Sequence, residues 1–277
     1  MATATKTSGD PRPKTERQLD WMTWAEARRY NEAGGDAALL PVGSVEMHGP
    51  HLPLGNDYLT TWAVARLAAP QCGAVVLPPL PYTFTGATRP YAGTLSLPSD
   101  AVISFIKTIC FALIEHGFRR IVLLSIHGPD SWTLSLTARQ VFEEKRVPVA
   151  FFDPFPVGNA ARLLPELSAE FMEQEDKDPG FVETSCLLAA LKVLHMPDLI
   201  DLETPALHPI PQPESQQRAK NLGTVGFYYT DPSQHVPKPS APSEEMGRRW
   251  LDAAANQVAL LVESLKAYSA DLKLTPQ

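Results

Sequence analysis

Cysteine is scarce in this chain, with three in 277 residues. Cys72, Cys110 and Cys186 are odd in number and widely spaced, and no C-x-x-C pair occurs. That argues against a disulfide scaffold and suits a reducing, cytoplasmic setting. Clustered positive charge is missing too. The net charge is −7 and lysine and arginine form no patch, so no nucleic-acid partner is expected. No apolar run approaches the ~20 residues that span a bilayer, so no membrane partner is expected either. The N-terminus has no apolar h-region of the kind a secretory signal needs. What remains is ordinary for a soluble globular protein, 44% hydrophobic and 20% charged. The length suffices to bury a large core. Proline stands out, with 27 residues, and points to many loops of fixed shape.

The most informative stretch is Pro41-Val-Gly-Ser-Val-Glu46-Met-His48-Gly-Pro-His51-Leu-Pro-Leu-Gly-Asn-Asp57. It follows an apolar run that reads as a buried strand. Gly43, Gly49, Pro50, Pro53 and Gly55 punctuate it, so a shaped loop is expected there. Carboxylates and imidazoles so close together are donors for hard or borderline metal ions.

Residues 1–18 are polar and are expected to form a disordered tail. Residues 19–277 read as a single domain. Strands are expected at 37–42, 74–77, 121–125 and 147–152, with a late strand at 225–229. Helices are expected at 23–31, 58–68, 99–115 with Ser99 as cap, 131–144, 159–174, 181–194 and 243–266. Residues 78–98 form a long Pro- and Gly-containing loop expected to line a site. Residues 196–222 read as irregular. Strands alternating with helices predict an α/β fold with a mostly parallel sheet covered on both faces.

Two strand exits then offer ligands: Glu46, His48 and Asp57 from the first, and His127 from the third. In an open α/β sheet such exits line one edge, where sites are held. Asp57 is the natural bridge, since its two oxygens can bind two ions ~3.5–4 Å apart.

These residues resemble the creatininase (creatinine amidohydrolase) family, which includes formamide deformylases and the mycofactocin-maturation peptidase. The first loop matches its signature. Tyr91-Ala-Gly93-Thr94, the stretch from His116 to His127-Gly, Gly180-x-x-Glu183-Thr184-Ser185 and Ser240-Ala-x-Ser-x-Glu-x-Gly247 extend the likeness over most of the chain. The resemblance implies a three-layer α/β/α fold, one or two divalent ions (Zn, Mn or Fe), and a homo-oligomer, often a hexamer. It implies that Glu46, Asp57 and His127 hold one ion, and His48 and Asp57 the second. The activity implied is metal-dependent hydrolysis of a non-peptide C–N bond in a small amide, cyclic amide or formamide.

The departures keep alternatives open. Creatininase has a second-ion glutamate where this chain has Pro129, and Glu183 or Asp130 could complete that site. Glu183 could equally be a helix-start carboxylate satisfied by backbone amides. Many members have a proton-handling histidine where this chain has Asp178; the plain alternative is an Asp-Pro-Gly turn. Ser125-Ile126 replaces Asn-Gly, and Asp130 replaces Asn, so creatinine is not the expected substrate. A small-peptide peptidase and a non-hydrolytic cyclase or isomerase remain alternative readings. Candidate substrate contacts are Arg89, Tyr91 and Trp132, with Tyr82 beside them. His51 is expected to orient the loop or a ligand from behind, and His116 to serve a helix C-terminus. His195, His208 and His235 read as surface residues, and Trp21, Trp24, Trp62 and Trp250 as packing residues.

Overall fold

The computed structural model describes residues 17–208 and 210–272. Its centre is a four-stranded, wholly parallel sheet in the order β2-β1-β3-β4. The strands are β1 (Ala37–Pro41), β2 (Val75–Val76), β3 (Arg120–Leu124) and β4 (Val149–Phe152). The first three are buried throughout, as expected of parallel strands covered on both faces. Alternation assigns the faces. Ala37, Leu39, Val122 and Leu124 enter one core, which includes side chains of α2 (Asn56–Cys72), α7 (Phe181–Val193) and α9 (Glu244–Asp271). Ala38, Leu40, Ile121 and Leu123 enter the other, beneath α3 (Ser99–Glu115) and α4 (Asp130–Lys145). Three layers follow, helix, sheet, helix. The remaining helices are α1 (Trp24–Glu32), α5 (Asn159–Leu163), α6 (Pro165–Lys177) and α8 (Glu214–Leu222).

β1 and β3 are neighbours at the middle of the sheet, with Pro41 opposite Leu124. The Val42 N–H donates to the Leu124 carbonyl at 2.8 Å. Both chains therefore leave the sheet at the same level and at its C-terminal edge, which puts the loop after β1 beside His127.

Several expectations need correction. The expected tail reaches residue 18, yet Gln18 is buried and bridges Val76, while residues 1–16 lie outside the described ones. The helix expected over 159–174 is two helices, because Pro165 disfavours the helical region at Leu164 (φ −129°, ψ 54°). Residues 225–229 form no strand, and the Pro-rich stretch before them contains α8. Ser99 is the first helical residue and makes no cap; Pro98 takes the N-cap position. Trp21 and Trp24 are 45% and 75% exposed and lie outside the core, each under an arginine (Arg66 and Arg28), whereas Trp250 is fully buried. The three cysteines are free and buried. Among the described residues no helix is long and apolar enough to cross a membrane.

Candidate metal centre

Four chain segments converge above the sheet edge. Glu46 and His48 come from the loop after β1, Asp57 from the first turn of α2, and His127 from the exit of β3. Glu183 comes from the first turn of α7. Glu46, His48, Asp57 and His127 are each at most 4% exposed.

Each imidazole has one nitrogen spoken for. His48 Nδ1 lies 3.0 Å from the Glu46 carbonyl oxygen, and His127 Nε2 lies 2.9 Å from that of Phe84. A carbonyl can only accept, so those nitrogens carry hydrogen. The other nitrogens face carboxylates, which also only accept. His127 Nδ1 is 2.9 Å from both Glu46 Oε1 and Asp57 Oδ2. His48 Nε2 is 2.9 Å from Asp57 Oδ1, 3.7 Å from Glu183 Oε2 and 4.0 Å from Glu46 Oε1. Asp57 thus turns one oxygen to each imidazole. Such an arrangement requires positive charge between the groups, supplied either by a second ring proton or by a cation. Donor atoms of Glu46/Asp57/His127 and of His48/Asp57/Glu183 lie within 4.8 Å of one another, close enough to hold an ion. The donor chemistry, imidazole with carboxylate, fits Zn, Mn or Fe.

Without an ion, protons carry that charge. Burial alone would lower His48, but Asp57, Glu183 and Glu46 raise it to about 10. His127 is likewise raised despite its burial, chiefly by Glu46 and Asp57. Burial would raise Asp57 and Glu46, yet the two imidazolium groups hold both carboxyls down. Glu183 is different. Burial and the neighbouring carboxylates push it up to about 7 against the pull of His48.

Surrounding residues fix the donors. Ser44 Oγ donates to Asp57 Oδ2 at 2.9 Å, and Thr88 Oγ1 to Glu46 Oε2. Asn56 Nδ2 spans Asp57 and Glu183 at 3.2 and 3.0 Å. The amides that open α7 go to Glu175, whose carboxylate accepts from Gly180 and Val182 at 2.7 and 2.9 Å. Glu183 is thereby released from that duty and faces His48. His51 Nε2 meets Thr184 Oγ1 at 2.8 Å and ties the first loop to α7.

Other candidates stand elsewhere. Asp178 is not brought to the centre. Its oxygens accept from the Ser240 and Ala241 amides at 2.8 to 2.9 Å, so it pins the approach to α9 and is not placed for proton handling. Asp130 is fully buried and accepts from Thr83, from Ser125 at 2.8 Å and from Thr133 at 3.1 Å. The Ser125 hydroxyl also accepts from the His127 amide at 3.1 Å. Ser125 and Asp130 are therefore one linked substitution that braces His127, not two changes at a reaction centre. Arg89 and Trp132 line a cavity of about 710 Å³, whose walls include Phe84, Pro129, Val225, Phe227 and Tyr228 and which reaches Glu46 and His127. Tyr91 does not line it; its hydroxyl donates to the Tyr229 carbonyl at 3.0 Å and anchors a lining segment. Tyr82 does not line that cavity but lies in a neighbouring pocket that shares Arg89 with it.

One participant was not expected. His235 is no surface residue. It lines the cavity, stacks on Tyr229 at 5.1 Å and lies 5.0 Å from His48, ring centre to ring centre. Burial and His48 push it down to about 4. Nothing in its spacing announces it, because its neighbours in sequence are loop residues.

The fold and this centre define a class: a three-layer α/β/α protein with a buried carboxylate–imidazole site of the metal-binding kind. Comparison gives the family. The creatinine amidohydrolase profile matches residues 20–262. The creatinine amidohydrolase of Pseudomonas putida is 30% identical over 203 residues, covering 68% of this chain and 75% of that protein. The mycofactocin precursor peptide peptidase of Mycobacterium ulcerans is 33% identical over 123 residues, or 39% and 46% of the two chains. A creatininase structure with Mn superposes with a TM-score of 0.69 at 24% identity, covering 90% of this chain and 98% of the other. The chain belongs to the creatininase family, a family of metal-dependent hydrolases.

Proposed function

We propose that this protein is a divalent-metal-dependent amidohydrolase acting on a non-peptide C–N bond of a small molecule, an amide, cyclic amide or formamide. The observation that carries the reading is the pair of inward-facing imidazole nitrogens set against carboxylate oxygens, with the outer nitrogens held by backbone carbonyls. Glu46, Asp57 and His127 would hold one ion, and His48, Asp57 and Glu183 the second. A divalent ion there supplies a Lewis acid for the amide carbonyl and brings the pKa of water toward neutrality.

The remaining steps belong to side chains. Glu183 has two open roles, as a ligand of the second ion or as the group that handles the proton of water; in the second role, unbound to the ion, it faces His48 and can accept a proton and return it. Asn56 holds the Glu183 carboxylate in place for that exchange. The largely apolar walls of the cavity suit the carbon framework of a small substrate, and Arg89, which has no ion pair among the described residues, offers a carboxylate of the substrate a bidentate partner. Metal content per protomer, measured by plasma mass spectrometry on protein never exposed to chelators, tests the reading. One or two ions per chain are expected, with loss in His48→Ala and Asp57→Ala. Absence of metal after Zn, Mn and Fe reconstitution would remove it.

The cavity supports a second reading. About 710 Å³ is in the range that takes a drug-sized ligand, and a peptide end would fill it as well. Short peptides and formamides assayed side by side, in ¹⁸O-labelled water, separate the two and expose any reaction that takes up no solvent oxygen.

A further inference from the structure

We propose that His235 is a protein ligand of the ion held by His48, through its Nε2. This rests on the metal-centre reading above and goes beyond it, because it gives that ion two imidazoles where the first has one.

The side chain is placed for that role and for no other visible one. Its Nε2 is shut off from solvent and has no hydrogen-bond partner. One of its ring nitrogens lies within 4.8 Å of donor atoms of Glu46 and His48. The ring is stacked on Tyr229, at 25° between planes. Tyr229 is in turn held at both backbone ends, by its amide on Ala87 and by Tyr91 on its carbonyl, each at 3.0 Å. An imidazole stacked on one side, with a solvent-excluded nitrogen that has no partner, is what a ligand looks like before its ion arrives.

The backbone enforces the register. An added Cβ at Gly49 would lie 1.9 Å from the Val236 carbonyl oxygen, and one at Gly180 1.8 Å from that of Pro237. Both glycines have positive φ, +67° and +88°. The two residues after His235 are therefore seated in two glycine notches. One notch directly follows His48, and the other opens the helix that carries Glu183. The chain segments that supply His48 and Glu183 also set the position of His235.

His235 lies within reach of His48 and Glu46 but is not grouped with Asp57 or Glu183, so as a ligand it would join the ion of His48 from the Glu46 side and add a second nitrogen to the His48, Asp57 and Glu183 donors, against one nitrogen and two oxygens from Glu46, Asp57 and His127. Four mixed N/O donors suit Zn²⁺, and the added imidazole favours Zn over Mn at this position. The two positions differ in affinity, and His235 is the source of the difference.

The test strips the full-length protein and titrates it with Zn²⁺ and Co²⁺, comparing His235→Ala and His235→Gln with His116→Ala as a control histidine. The first ion is expected to bind as in the parent. Removal of partners behind a ligand weakens metal binding ~10–100-fold, so loss of the ligand itself should weaken the second ion by at least about a hundredfold. The visible Co²⁺ bands should change for that ion alone. X-ray absorption at the zinc edge of the unaltered protein guards against variants that fail to fold: three imidazoles shared by two ions are expected. Parent-like affinity for both ions in the variants, or two imidazoles at the zinc edge, overturns the proposal and leaves the metal centre standing. One ion in the parent overturns it likewise, and no ion removes both.

Discussion

Gly49 and Gly73 form a matched pair that measures how tightly the site is built. Their φ angles are +67° and +66°, so alanine meets the same backbone penalty at both. That penalty is roughly 1–2 kcal/mol, reduced by the ~0.4–1 kcal/mol that alanine gains by restricting the unfolded chain. At Gly73 no atom lies within 4 Å of the new methyl, and Gly73→Ala should cost about 1 kcal/mol in all. At Gly49 the methyl would lie 1.9 Å from the Val236 carbonyl oxygen, where 3.0 Å is the practical floor. The loop or the 235–237 segment must therefore retreat by about 1 Å, and overpacking of this kind adds ~1–3 kcal/mol. Gly49→Ala should thus destabilise by about 3 kcal/mol, and Gly180→Ala should fall in the same class. Urea unfolding of metal-stripped protein at one fixed concentration, followed by far-UV circular dichroism, reads the difference. Costs for Gly49→Ala and Gly73→Ala within ~0.5 kcal/mol of each other would refute the reasoning, because they would mean that the contact with Val236 does not constrain the loop.

Asp130→Ala leaves the hydroxyls of Thr83, Ser125 and Thr133 without their acceptor, and should lower stability by about 3 kcal/mol; a denaturation midpoint within error of the parent would show that the network is idle. Glu175→Ala frees the amides of Gly180 and Val182 and should cost about 1–2 kcal/mol of stability, as loss of a helix cap does; no loss would return those amides to another partner. Zinc affinity should rise with pH. In the ion-free centre His48 is raised to about 10, so near neutral pH the ion must displace its proton, and affinity should climb about tenfold per pH unit for each proton released. Calorimetry in buffers of different ionisation enthalpy counts those protons, and a pH-independent affinity would contradict the charge arrangement.

How much of this was legible in the sequence depended on how local each signal is. The donors Glu46, His48 and Asp57 lie in one stretch behind a buried strand, so their convergence needed only the rule that parallel strands open their sites at one edge. His127 needed one more step, that β3 lies beside β1. The role of Glu183 could not be settled, because a carboxylate in the first turn of a helix has a standing alternative as a cap. The structure gives that duty to Glu175, eight residues earlier on another helix. Asp178 and the Ser125/Asp130 pair misled for a related reason: a residue that differs from a family pattern at a reactive position reads as altered chemistry. Here the substituents bond to backbone or to each other. His235 had no signal at all, since a histidine in irregular chain has no periodicity and the donors it faces, Glu46 and His48, are some 190 residues away. Trp24 shows the limit of residue type, as a tryptophan in a helix is not thereby packed.

The motifs of this chain are better understood as surfaces that fit one another than as separate signatures. His51 in the first loop bonds Thr184 at the start of α7. Ser185, the next residue, accepts the Ser243 amide that begins α9, and its carbonyl lies where only a glycine, Gly247, lets α9 approach. Asp178 holds Ser240 and Ala241, and Gly49 and Gly180 seat Val236 and Pro237. Each contact joins segments far apart in sequence, so each must overcome a loop-closure entropy that grows with separation. They do so at a few shared points, and fixing one segment lowers the entropic cost of fixing the next. The consequence for chemistry is that donors from four segments are held before an ion or substrate arrives, which is the condition for electrostatic stabilisation without reorganisation during the reaction. It also means that a change at Asp178, which touches no donor, should be felt at His235 through Ser240 and the two glycine notches. Loosening there should weaken metal binding while leaving Glu46, His48, Asp57 and His127 chemically intact.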